Sequence, residues 1–140
     1  MSRFLGIDYG TKRIGLAIGD TVGRLATPLA TLEAPEPPDR QVEAVLTCAR
    51  EYEVDAFVVG LPLNMDDTEG PQAQSVRRFG TALEAAGGLP VHYCDERLSS
   101  LTADELMQGT ELTRKQKKRR RDRLAAQVML QAFLDAAPSA

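Results

Sequence analysis

The 140-residue sequence has no tryptophan and only 5% aromatic residues, which argues against a platform that grips single strands by stacking successive bases. It holds two cysteines, Cys48 and Cys94. They have neither a metal-ligand spacing nor the density of a disulfide scaffold, so both are expected as buried small hydrophobes. No apolar run approaches the length of a spanning helix, and the opening residues MSRFLGIDYG lack a signal-peptide core. No membrane partner is expected, and the cytoplasm is the default compartment. The single histidine, His92, falls in mid-strand, where packing or solvation accounts for it better than catalysis. No repeat or internal domain boundary is visible, and the length suits one domain over residues 1–140.

What the sequence does have is an ordinary globular balance, 43% hydrophobic and 26% charged, with its charge unevenly placed. The net charge is only −3, yet eight of the 17 Lys and Arg residues fall between Arg114 and Arg123, where Asp122 is the one acid. Such a run is either a solvated linker or a grip on a polyanion, since clustered Lys and Arg gain affinity by releasing phosphate counterions. Its position immediately before a helical pattern favours the second.

In chain order, Gly6 to Asp20 alternates apolar residues around the polar turn Tyr9-Gly10-Thr11-Lys12-Arg13 and predicts a β-hairpin. Leu25 to Leu32 adds a third strand after the Asp20–Gly23 turn. Pro35-Glu36-Pro37-Pro38 ends the meander and opens a helix over Asp39–Glu51, whose apolar face is Val42, Val45, Leu46, Ala49 and Tyr52. Ala56–Gly60 reads as a buried parallel strand. A loop over Gly60–Gly70 leads to a helix that starts at Pro71 and ends at Gly87-Gly88. Val91–Cys94 is the last strand. Thr102 and Glu105 suit a capping box for a short helix closing near Gly109, and a final helix is expected over Asp122–Ala136. The order calls for an α/β fold: a mixed five-stranded sheet, meander first and parallel strands after, with strand 1 central and helices on both faces.

In such sheets sites form beyond the carboxyl ends of the strands. Asp8 stands there on strand 1, and Asp95-Glu96 at the end of the last strand. Asp122 shares the apolar face of the closing helix, with Ala125 and Met129, so it would point at the same rim. Each acid has a plainer explanation: Asp8 as a cap on the amides of Gly10 or Thr11, Glu96 as a partner of Arg97 or Arg13, Asp122 as a helix N-terminal acid. Converging together, they would repel one another unless oxygen-liganded Mg²⁺ or Mn²⁺ intervened, the arrangement of metal-assisted phosphodiester hydrolysis. Lys12, Arg13 and Arg97 flank the acids and are candidates for holding phosphates, as are Lys118 and Arg121 in the basic run. Asn64 and Thr68 lie on a rim loop that suits either substrate contact or turn chemistry.

Gly6-Ile7-Asp8-Tyr9-Gly10-Thr11-Lys12-Arg13-Ile14-Gly15, Val59-Gly60-Leu61-Pro62-Leu63-Asn64-Met65-Asp66, Asp95-Glu96-Arg97-Leu98-Ser99, and Asp122 followed by Ala125-Ala126-Gln127 and Leu130-Gln131, together resemble the YqgF (RuvX) family nearly end to end. The resemblance implies an RNase H-like fold related to RuvC-type Holliday-junction resolvases. It also implies a nuclease acting on the 5′ end of pre-16S rRNA or on branched DNA, as a monomer or homodimer. Carried over by motif, the catalytic and metal-holding acids are Asp8, Glu96 and Asp122, with Asp95 ranked below them. Asp67 departs from the family's usual Gly, and Ala125 stands where RuvC-type enzymes often carry a fourth acid. Two other readings stay open: a non-catalytic nucleic-acid-binding factor in ribosome assembly, and a phosphate-binding hairpin of the actin-like kind.

Overall fold

The computed structural model describes residues 2–10, 12–33, 37–96 and 114–136. The expected short helix at Thr102–Gly109 lies outside them. Three antiparallel or edge strands come first: β1 (Arg3–Tyr9), β2 (Arg13–Asp20) and β3 (Thr27–Glu33). Helix α1 (Pro38–Glu51), β4 (Ala56–Leu61), α2 (Pro71–Gly87), β5 (Val91–Asp95) and α3 (Arg114–Ala136) follow. The sheet order is β3-β2-β1-β4-β5, so β1 is central. It pairs antiparallel with β2 and parallel with β4, which pairs parallel with β5. This is the mixed α/β sheet that the alternation of strand and helix patterns implies.

Local chemistry sets the turns. The Gly10 amide donates to the Arg13 carbonyl at 2.9 Å to close the first hairpin. Asp20 Oδ1 accepts from the amides of Val22 and Gly23 at 3.0 and 2.7 Å in the second. Proline opens both α1 and α2, where a missing N–H costs nothing, and Gly88 ends α2 at φ 69°, a left-handed position suited to glycine.

Period-two alternation sorts the strand side chains onto two faces. Leu5, Ile7, Ile14, Leu16, Phe57 and Val59 form a core with Val45, Leu46, Val76 and Leu83 of α1 and α2. On the opposite face Phe4, Ala17, Ala56 and Val58 meet Ala126, Met129, Leu130 and Leu134 of α3. The positions between them are glycines. A β-carbon built at Gly6 would lie 2.9 Å from Leu130 Cβ, and one at Gly19 would lie 2.8 Å from Leu134 Cδ1. One at Gly15 would collide with the Asp122 carbonyl oxygen. The helix therefore sits almost on the backbone of β1 and β2.

Two expectations are corrected here. The last helix begins at Arg114, not at Asp122, because Lys, Arg and Gln are good helix formers and the basic run continues the helix instead of leading to it. Asp122 is thus mid-helix, and the N-terminal-acid explanation for it falls. With Asp122 seated at Gly15 and Leu134 at Gly19, the residues before Asp122 carry α3 past the rim where β1 ends. The third strand begins at Thr27, not Leu25. Gln131 Oε1 accepts from the Ala26 amide at 2.8 Å, Gln131 Nε2 donates to the Arg24 carbonyl at 2.8 Å, and Gln127 Nε2 donates to the Ala26 carbonyl at 3.1 Å. These glutamines take the backbone groups that a neighbouring strand would otherwise bond, and Leu25 is left 68% exposed.

Candidate active site

Asp8 is the penultimate residue of β1 and shares the α3 face with Phe4 and Gly6, two and four residues back. Glu96 follows β5, two residues beyond Cys94, which packs with the α3-side cluster. Strand β4 runs between them. The pairings Ile7 with Val59 and Gly60 with Cys94 put Gly60 beside Asp8 at the same level. A β-carbon at Gly60 would stand 3.6 Å from both Cβ and Cγ of Glu96. The strand thus offers no side chain where the two acids approach, and their carboxyl groups hydrogen-bond to each other.

Burial dominates the electrostatics of this pair. It pushes the Glu96 carboxyl up to about 9, with the hydrogen bond to Asp8 and the charges of Asp8 and Asp95 adding to it. Burial also raises Asp8; the bond from Glu96 works against that rise, and the nearby charge of Asp122 adds to it. At neutral pH Glu96 keeps its proton and donates it in the hydrogen bond to the Asp8 carboxyl group.

Asp122 reaches the site from α3. Its Oδ2 accepts a charge-assisted hydrogen bond from Arg13 Nε at 2.7 Å, with both side chains about three-quarters buried. Arg13 therefore pairs with Asp122, and the expectation that it could serve Glu96 is corrected: Asp8 takes that place. The alternative role of Asp8 as a cap on Gly10 is not found, since the Gly10 amide bonds to Arg13.

Among the described residues no group of three or more His, Cys, Asp or Glu side chains is arranged to hold a metal ion. What is present is a pair plus a third acid, close enough to affect Asp8 but bonded to a guanidinium. The donor type fits a hard divalent cation even so, since all three groups are carboxylates and offer only oxygen. Asp8, Glu96 and Asp122 are the residues here that could hold such an ion, Asp122 being bonded to Arg13 in this structure.

The remaining candidates are spread around the rim. Asp95 is partly buried at the end of β5, and its charge acts on Glu96. Lys12 is exposed at the hairpin turn. The Asn64 amide donates to Thr68 Oγ1 at 3.0 Å, and Thr68 bonds Asp66 Oδ1 through its amide and its hydroxyl, so turn chemistry organises this loop. Lys118 and Arg121 belong to α3 ahead of Asp122. Arg97 and Thr11 lie outside the described residues. His92 is exposed and edges the rings of Phe4 and Phe133. Cys48 and Cys94 are free thiols, partly buried and not fully so as expected. Sequence reasoning passed over Gly60, although the stretch Gly15-Leu16-Ala17-Ile18-Gly19 already showed one strand face stripped to small residues.

A central β1 flanked on one side by the antiparallel strands β2 and β3 and on the other by the parallel strands β4 and β5 is the RNase H-like fold. Solved structures with the same fold include Thermus thermophilus RuvC in complex with a Holliday junction substrate. It superposes with a TM-score of 0.61 at 17% identity and covers all of both chains. Another Thermus thermophilus RuvC structure gives 0.57, again at 17% identity, over 96% of this chain and 95% of that one. The family model RuvX, described as "Holliday junction resolvase", matches residues 2–136. An Anaeromyxobacter sp. strain K protein named "Putative pre-16S rRNA nuclease" is 46% identical over 134 residues, 95% of this chain and 96% of its own. A Rhodobacter capsulatus protein of the same name is 42% identical over 93% of this chain and 81% of its own. The chain belongs to the RuvX (YqgF) family.

Proposed function

We propose that this chain, acting as one domain over residues 1–140, is a divalent-cation-dependent nuclease that hydrolyses phosphodiester bonds in structured nucleic acid. Its substrate is the 5′ end of precursor 16S rRNA, and its compartment is the cytoplasm. The observation that carries the reading is the carboxyl pair of Asp8 and Glu96 at the carboxyl rim of the sheet, faced by Asp122 from α3. The names of the curated relatives support the chemistry and the substrate.

Bound Mg²⁺ or Mn²⁺ supplies Lewis-acid activation of a water and charge stabilisation at the leaving oxygen. Asp8 and Glu96 would hold it through carboxylate oxygens, in their deprotonated form. Asp122 would be a further oxygen donor, and Arg13, which now bonds its carboxylate, is of the type that also binds a substrate phosphate. Asp95 adds negative potential behind Glu96. Lys12, Arg97, Lys118 and Arg121 hold the backbone on either side of the cut, and Asn64 contacts substrate from the rim loop.

The family description favours a second substrate, branched DNA. Resolution of a four-way junction needs two sites acting symmetrically, hence a homodimer on the junction, whereas rRNA trimming needs only a monomer. Side-by-side cleavage of a four-way junction and a 5′-extended 16S precursor, with Mn²⁺ or Mg²⁺, separates the two. The expected outcome is cutting of the precursor by wild type and none by Asp8→Asn. Equal binding with no cutting of either substrate by wild type leaves a non-catalytic assembly factor in its place.

A further inference from the structure

Behind the acids, on the other face of the same rim, lies a cleft of about 430 Å³ lined by Tyr9, Gly10, Pro71, Gln72, Ser75 and Val76. Nothing in the hydrolytic arrangement above uses it. Its volume falls within the range of small-ligand sites. None of these lining residues is charged, so among the described residues neither a metal ion nor an isolated phosphate finds a counter-charge there. The walls are an aromatic ring, a proline and a valine, and the polar groups are the Gln72 amide and the Ser75 hydroxyl. Among the described residues neither side chain has a hydrogen-bond partner. An amide offers a donor and an acceptor side by side, the pattern that reads the edge of a planar heterocycle.

The aromatic wall is fixed in place. Tyr9 stacks on Phe79 with centroids 4.2 Å apart and planes 20° apart, and its hydroxyl donates to Gln41 Oε1 at 2.6 Å. Tyr9 follows Asp8 directly, but successive strand residues point to opposite faces. The carboxylates and the cleft are therefore back to back across the strand end, joined by the turn at Gly10. At Gly10 that lip has no side chain, so a strand lying over the acids can cross there and place a neighbouring base on the far side.

We propose that this cleft receives one unstacked nucleobase of the substrate strand, close to the scissile phosphate, with Gln72 and Ser75 reading its edge. The proposal rests on the nucleic-acid reading above and adds a base-specific subsite to it. The low aromatic content excludes a run of stacking platforms, and a single pocket requires only one ring.

The test is an abasic scan in EDTA, so that no strand is cut. A short labelled single-stranded oligonucleotide, as RNA and as DNA, is made with one abasic position at a time, and affinity is read by fluorescence anisotropy. Wild type is expected to lose about tenfold in affinity at one position and little elsewhere. In the double variant Gln72→Ala with Ser75→Ala that loss shrinks to under about twofold, and Ser75→Leu, which fills the cleft, does the same. Thermal melts confirm that both variants fold. A flat scan in wild type with binding intact, or a sensitive position that persists in both variants, overturns the cleft proposal alone. Absence of binding to every oligonucleotide, and to the precursor and junction substrates, overturns the nucleic-acid reading and the cleft with it.

Discussion

Along β2, Ile14 and Leu16 enter the layer beneath α1 and α2, whereas Gly15, Ala17 and Gly19 between them present almost nothing to α3. The first face is filled by side-chain volume, with Phe57, Leu5 and Ile7 wholly buried. The second is filled by α3, whose Leu130 and Leu134 side chains and Asp122 carbonyl come right up to those small residues. Apolar volume stabilises the fold and tolerates modest repacking. Close backbone contact fixes the position of a helix, and the helix it fixes carries Asp122. One face thus supplies stability, and the other supplies placement at the site.

Breaking each face in turn should give opposite signatures. The largest effect is expected from Asp8→Asn, which should lower cleavage by about a thousandfold or more. Its melting temperature should hold or rise, because a charge that Asp122 repels has been removed; a variant that cuts normally would remove the acid pair from the chemistry. On the opposite face Phe57→Ala should cost about 3–5 kcal/mol in urea denaturation, and the fraction still folded should cut at the normal rate. Between them lies Gly15→Ala, whose β-carbon meets the Asp122 carbonyl: about 1–3 kcal/mol of stability should go, together with most of the activity. Loss of stability with activity kept would mean that α3 need not sit so close.

The pH dependence sharpens the contrast further. Folded Glu96 holds its proton up to about 9, and its ordinary value is 4.5. The folded state binds the more protons across that window, so the stabilisation is complete below about pH 4.5 and is lost as pH rises towards 9. Without divalent cation the melting temperature should fall by about 5 °C or more over that interval. Glu96→Gln should flatten the slope, and Mg²⁺ or Mn²⁺ should do so as well. The smallest effect is expected from Arg13→Gln, within about 1 kcal/mol in stability. Its sharper readout is Mn²⁺ affinity by calorimetry, which should rise as Asp122 is freed while affinity for nucleic acid falls.

The sheet, its order and the central place of β1 were legible because period-two alternation and proline and glycine punctuation are local signals. The meeting of Asp8 with Glu96 was legible from position at strand ends. Where α3 begins was not, because a cationic run looks the same as linker or helix until something packs beside it. Nor was the Arg13–Asp122 pair, which joins residues 109 apart in sequence. Gly60 went unnoticed for a related reason: an empty position has meaning only once its neighbours across the sheet are known.

The unbroken course of α3 has one more consequence. At 1.5 Å per residue, the eight residues from Arg114 to Arg121 extend about 12 Å ahead of Asp122 as part of the same rod. A polyanion that bound this cationic stretch would be bound by the same helix that bears Asp122. Tilting one tilts the other, and the three missing β-carbons of the seat, at Gly6, Gly15 and Gly19, leave little slack to absorb the motion.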